Sequence, residues 1–133
     1  MSCCDGTKVV IANNSGTTIT IASVSPTMGT IQSIGNGNTI ADTDSQTGQA
    51  YSTAGTNGAA SGSIGISIGN SATALTLNYK FTPENVYGNC PCTASLSPSS
   101  VSNGNYLAQG STGPGATDGA ASITWTVTSQ LGS

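Results

Sequence analysis

An all-β chain, folded as a single-domain antiparallel β-sandwich over residues 1–133, is the fold class the sequence predicts. Apolar residues recur at every second position in segment after segment, Gly and Asn clusters punctuate those segments, and no stretch has helical periodicity. Many short strands with frequent turns point to a sandwich or a barrel.

The elements follow in order. Val9-Val10-Ile11-Ala12 is a short continuous apolar run and reads as a strand buried on both faces. Asn13-Asn14-Ser15-Gly16 follows it and reads as a hairpin turn, because Asn and Gly tolerate positive φ. Ile19 and Ile21 then alternate with Thr18 and Thr20, the mark of a half-buried strand. Gly35-Asn36-Gly37-Asn38 is a loop, and residues 42–62 are polar enough to read as short strands and long turns. Ile64, Ile66 and Ile68 form the next alternating strand, with Gly65 opposite the isoleucines. Leu75, Leu77, Tyr79 and Phe81 alternate with Thr76, Asn78 and Lys80, which places Tyr79 partly in the core. Ser111-Thr112-Gly113-Pro114-Gly115 reads as a loop before the last strand, where Ile123, Trp125 and Val127 share a face and Trp125 reads as core.

Composition narrows the function. Charged residues are 5% of the chain, against about 25% in an average soluble protein, so solubility rests on Ser, Thr, Asn and Gly. Two basic residues, Lys8 and Lys80, cannot displace the counterions that a nucleic-acid footprint requires, and the net charge of −3 compounds the mismatch. Docking on anionic lipid by charge alone meets the same shortage.

Histidine is absent, which removes the commonest general base and metal ligand. Asp42 and Asp44 lie two apart, a spacing compatible with a weak calcium pair or a glycosidase remnant, but solvated loop acids are the commoner use. No Gly-x-Ser-x-Gly stands between a strand and a helix, and no Gly-rich segment is followed by a lysine and a helix. The sequence therefore predicts a binding protein, not an enzyme, with no cofactor and no metal.

The four cysteines form two tight pairs, Cys3-Cys4 and Cys90-Pro91-Cys92. Adjacent cysteines bond to each other only with strain, so disulfides between the two pairs are expected. The sequence does not choose the connectivity, and a four-thiolate zinc site or reduced thiols remain alternatives. The start of the chain has neither a charged nor an apolar leader region, and an extracellular or released protein is the expectation. Asn13-Asn14-Ser15 is a formal glycosylation sequon, a short match that arises often by chance. Tyr87, in the loop Pro83-Glu84-Asn85-Val86-Tyr87-Gly88, is a candidate interfacial aromatic.

The order of these motifs resembles the aegerolysin family of small β-sandwich proteins. Val9-Val10-Ile11-Ala12-Asn13-Asn14-Ser15-Gly16 is similar to its opening strand and turn, and Met28-Gly29-Thr30-Ile31 stands where many members have Trp-Gly. Ser61-Gly62-Ser63-Ile64-Gly65-Ile66 resembles its Gly-Thr-x-Gly strand entry, and Leu77-Asn78-Tyr79-Lys80-Phe81-Thr82-Pro83 its aromatic-then-proline segment. Tyr106-Leu107-Ala108-Gln109-Gly110 and Ser122-Ile123-Thr124-Trp125-Thr126-Val127 are similar to the two closing strands. Fungal members carry tryptophans where this chain has Gly6 and Met28, and the cysteine pairs are not a general feature of the family.

The resemblance implies binding of a membrane lipid, a sphingolipid or a glycolipid, together with a larger pore-forming protein partner in a cytolytic or insecticidal system. It makes Met28, Tyr79 and Tyr87 the candidate lipid contacts. A carbohydrate-binding module and a self-assembling structural protein are the rival expectations, and a second copy of the chain stands among the expected partners.

Overall fold

The structure is a computed structural model that describes Cys4 and residues 6–51, 59–69, 74–83, 92–113 and 121–129. These residues form eleven strands in two sheets and no helix. In chain order the strands are β1 (Thr7–Asn14), β2 (Ile19–Met28), β3 (Thr30–Gln32), β4 (Thr39–Ile40), β5 (Ser45–Tyr51), β6 (Ala60–Ile68), β7 (Ala74–Pro83), β8 (Cys92–Ser95), β9 (Ser100–Ser102), β10 (Tyr106–Gly113) and β11 (Ser122–Ser129). One sheet runs β3-β5-β1-β11-β10-β9 and the other β4-β2-β6-β7-β8.

The two-residue alternation decides what lies between the sheets. Val9, Ile11, Ile123, Trp125 and Val127 enter from the six-stranded sheet, and Ile19, Ile21, Ile64, Ile66, Leu77, Tyr79 and Phe81 from the five-stranded sheet. All are buried in one cluster. Outward positions carry Thr, Ser, Gln and Asn, so the two-layer architecture follows directly from the period. The ladders are antiparallel with one exception: β1 and β11 pair in parallel, Lys8 opposite Ser122 through Asn14 opposite Thr128.

Three local expectations are corrected. β1 is buried on one face only, since Val10 and Ala12 alternate with Val9 and Ile11 and are half-buried on the outer surface. Asn13-Asn14-Ser15-Gly16 does not close a hairpin, because β1 and β2 lie in different sheets and the segment crosses between them. Ser111, Thr112 and Gly113 are not loop but the last residues of β10, paired with Thr124, Ile123 and Ser122.

The crossing at Asn13 is held by a buried polar network. Asn13 donates both amide hydrogens, to the carbonyls of Thr17 at 2.7 Å and Ile40 at 2.8 Å. Its Oδ1 accepts from the Ser15 backbone N–H at 3.0 Å and hydroxyl at 2.6 Å. The side chain is fully satisfied where a lone buried amide would be costly. A buried Asn13 with both hydrogens committed offers no nitrogen to a glycosyltransferase, so the sequon there is structural in the folded chain.

A second crossing, between β8 and β9, is tied by Asn78 on β7. Its Oδ1 accepts from Ser97 N–H at 3.1 Å and its Nδ2 donates to the Pro98 carbonyl at 2.9 Å. The backbone carbonyl of Asn78 accepts from Trp125 Nε1 at 2.9 Å, so the indole of one sheet is hydrogen-bonded to the backbone of the other. Opposite Trp125 on β10 stands Gly110, where an added Cβ would lie 3.3 Å from the indole Cδ2 and Cε2 and would collide with Leu96 Cδ1. Glycine leaves the room that the ring occupies.

The sheets are also joined covalently. Cys4, in the turn that enters β1, is bonded to Cys92, the first residue of β8. Both residues are buried, and the Thr7 hydroxyl donates to the Cys4 carbonyl at 2.9 Å beside them. Of the sulfur pairs left open by the sequence, Cys4–Cys92 is the one described; Cys3 and Cys90 lie outside the described residues.

Candidate functional site

A pocket of about 210 Å³ opens on the outer face of the five-stranded sheet, at the end where β2 finishes and β6 begins. It is lined by Thr27, Ser61, Gly62, Asn78, Tyr79, Lys80, Ser95 and Ser97. Strand register explains the grouping. Ser61 pairs with Lys80, and Lys80 pairs with Ser95, so three outward side chains from β6, β7 and β8 stand in one row across the sheet. Thr27 joins them because the β2–β6 ladder slips between Pro26 and Met28, and the extra residue at that irregularity is exposed. Asn78 and Ser97, already linked through Ser97 N–H, form the far wall.

The pocket wall is mainly apolar in area, with hydroxyls and one cation set into it. Hydroxyls come from Thr27, Ser61, Ser95 and Ser97, and the ammonium from Lys80. The described carboxylates lie at the opposite end of the sandwich: Asp42 Oδ1 accepts from Gly16 N–H at 2.9 Å and Asp44 Oδ1 from Ser45 N–H at 2.8 Å. Each of these exposed acids is spent on a turn, which is the solvated-loop use expected for them.

The three proposed lipid contacts fall differently. Met28 is half-buried, pairs with Ser61, and follows Thr27 directly, so it borders the pocket. Tyr79 lines the pocket but is only 1% exposed, deeper than the partial burial expected of it. Its ring packs 6.3 Å from that of Phe81, and its hydroxyl reaches β6, where an added Cβ on Gly62 would sit 2.7 Å from the oxygen. Tyr87 lies outside the described residues.

The Tyr79 hydroxyl is buried without a hydrogen-bond partner among the described residues, and burial pushes its pKa from 10.0 up to about 12. The folded chain therefore holds a phenolic proton that the unfolded chain releases between pH 10 and about 12, and stability falls as pH rises through that window. An unpartnered buried hydroxyl costs about 1–3 kcal/mol. Tyr79→Phe is therefore expected to be as stable as the parent or about 1 kcal/mol more stable, with a shallower loss of stability above pH 10. Urea titrations at pH 7 and pH 11 check this, and a clear destabilisation at pH 7 would show that the hydroxyl has a partner.

Thr27, Ser61, Asn78, Lys80, Ser95 and Ser97 were not singled out from the sequence as site residues. Lys80 carried the clearest signal, since it is one of two cations and lies out of phase with Leu77, Tyr79 and Phe81. The serines carried none, because serine is spread through the whole chain.

No protein-family profile matches the chain, and no curated protein matches it in sequence. Solved structures do match in fold. IP-1A from Alcaligenes faecalis superposes with a TM-score of 0.59 at 15% identity, covering 97% of this chain and 94% of its own. The lipid binding protein Nakanori superposes with a TM-score of 0.62 at 16% identity, covering 91% of this chain and 69% of its own. The two-sheet sandwich expected from the order of strand motifs is thus a fold that this chain shares with both solved structures.

Proposed function

We propose that the protein binds a membrane lipid through the Thr27–Lys80 end of its five-stranded sheet and acts by recognition, not by turnover. The observation that carries this reading is the fold shared with a lipid binding protein over 91% of the chain. The pocket at that end supports it, offering hydroxyl donors and one ammonium on a neutral surface. Met28 borders it as an apolar residue for the acyl region, and Tyr87 is kept as a further candidate contact on its sequence alone. Tyr79 supports the pocket from beneath, as its burial requires. The Cys4–Cys92 bond suits an oxidising compartment, hence an extracellular site of action.

Recruitment of a larger pore-forming protein after lipid binding, in a cytolytic or insecticidal system, is the finer part of the proposal. Dye release from lipid vesicles that requires a second protein would support it.

A glycan-binding module is the second reading, since hydroxyls and an amide also suit a sugar. Among the described lining residues the pocket offers it little support: Tyr79, the aromatic residue there, is buried and presents no exposed ring face for a sugar to stack on. Self-assembly by sheet edges is disfavoured too, because the edge strands β3, β9, β4 and β8 are only two to four residues long. The test is cosedimentation of the full chain with sphingomyelin–cholesterol vesicles beside a glycan array. Vesicle binding with a silent array is expected; array binding without vesicle binding would overturn the lipid reading.

A further inference from the structure

Lys8 and Lys80 are the only basic residues of the chain, so a trypsin-like protease has two bonds to attack, Lys8–Val9 and Lys80–Phe81. Both side chains are exposed, yet each lysine lies in a strand paired on both sides: Lys8 with Gln49 and Ser122, Lys80 with Ser61 and Ser95. The residue after each, Val9 or Phe81, is 0% exposed in the core. Proteases take their substrates as detached, extended segments and cut preferentially in exposed loops. Neither bond can enter such an active site until its strand leaves the sheet.

The two bonds differ in what shields them. β1 is an interior strand, paired with β5 from Thr7 to Ala12 and with β11 from Lys8 to Asn14. The outer flank of Lys80 is β8, an edge strand of four residues. β8 meets β7 only between the pairs Lys80–Ser95 and Pro83–Cys92, and Pro83 has no N–H to give to that ladder. At this weak end Cys92 is bonded to Cys4. The turn at Cys4 is itself held to β5, where the Gly6 N–H donates to the Ala50 carbonyl at 2.7 Å.

We infer that the Cys4–Cys92 disulfide is a redox latch on the Lys80–Phe81 bond. While it is closed, β8 stays on β7 and the bond is shielded; once it is reduced, β8 lifts and a trypsin-like protease cuts there first. A dithiol supplies the two electrons and two protons. Its thiolate attacks one sulfur as the sandwich end opens, giving a mixed disulfide and releasing the other cysteine. Its second thiol then displaces the first cysteine, so Cys4 and Cys92 end as thiols and the reductant as a disulfide. A cut after Lys80 divides β7 within the pocket, so reduction followed by cleavage dismantles the pocket whatever it binds.

The test incubates trypsin with the oxidised full chain, the same chain in dithiothreitol, and Cys4→Ala/Cys92→Ala, each well below its melting temperature. Fragments are followed by mass spectrometry. The reduced chain and the double variant are expected to be cut at least about tenfold faster than the oxidised parent, because cleavage tracks the population of the open form. The first products expected are 1–80 and 81–133, with cleavage after Lys8 slower. Cys3→Ala/Cys90→Ala, which keeps the Cys4–Cys92 bond, is expected to resist trypsin as the parent does.

Dilute urea separates the latch from a general loss of stability. Lifting a four-residue strand exposes little surface, so the early cleavage rate should change little below the unfolding transition; cleavage through global unfolding would climb steeply. A double variant cut no faster than the parent, a first cut after Lys8, or a steep urea dependence would each overturn the latch. Should the double variant fail to fold, the dithiothreitol arm decides: cleavage after Lys80 must rise in step with alkylation of Cys4 and Cys92.

Discussion

Replacing Trp125 by alanine is expected to destabilise the protein by about 4–5 kcal/mol, the upper part of the range for truncating a buried aromatic residue. Trp125 is completely buried and is the largest side chain in the core. Its loss would open a void between the sheets beside Gly110, whose missing side chain cannot fill it. It would also strand the Asn78 carbonyl, which accepts the indole N–H at 2.9 Å, on the strand whose Asn78 side chain anchors the β8–β9 crossing. Against a total stability of roughly 5–15 kcal/mol, such a loss leaves the fold marginal. Trp125→Phe retains most of the packing but lacks the donor, and is expected to cost about 1–2 kcal/mol. Urea midpoints for the two variants separate packing from the hydrogen bond. A cost below about 1.5 kcal/mol for the alanine variant would mean that the indole does not bridge the sheets as described.

Loss of the Cys4–Cys92 bond is the second large effect. The bond closes a loop across 88 residues. Restricting the unfolded chain over that length contributes about 4–5 kcal/mol in the chain-entropy account. The double variant Cys4→Ala/Cys92→Ala is therefore expected to melt roughly 10–20 °C lower than the parent. Because both cysteines are buried, reductant should act on the native protein slowly and only as the end of the sandwich opens. Calorimetry of the double variant is the check, and an unchanged melting temperature would show that the bond adds nothing to the fold. The bond also secures the end of the five-stranded sheet that carries the pocket: Cys92 pairs with Pro83 on β7, and Lys80 and Ser95 face each other three residues further along the same ladder.

How far the fold was legible in the sequence depended on strand length. β6, β7 and β11 each carry three or more cycles of alternation around Ile, Leu or Trp, and β2 two around Ile19 and Ile21, so a period of two is legible over those spans. β3, β4, β8 and β9 are two to four residues long, too short to display a period, and were invisible. The turn after β1 was assigned to the wrong geometry because Asn and Gly serve a hairpin and a sheet-to-sheet crossing equally well. What separates the two is the reach of Asn13 to Ile40, 27 residues away, which no local pattern records. The parallel pairing of β1 with β11 is equally non-local.

The pocket was less legible than the fold. Alternation placed Lys80 on the outer face of its strand, but three facts of register were needed to surround it. Ser61 and Ser95 had to be its neighbours, and the β2 irregularity had to bring Thr27 alongside. Tyr79 shows the converse. Its phase marked it as inward, and that phase governs its position more strongly than its place in a family motif: it lies in the core with its hydroxyl sealed beneath Gly62.

The central claim, recognition of lipid by a nearly uncharged sheet surface, is tested most directly by vesicle cosedimentation across a salt series. Sphingomyelin–cholesterol vesicles carry no net charge, so raising salt from about 50 to about 200 mM should leave binding nearly unchanged. Absence of binding at every salt concentration, or a loss on the order of a thousandfold across that range, would contradict it.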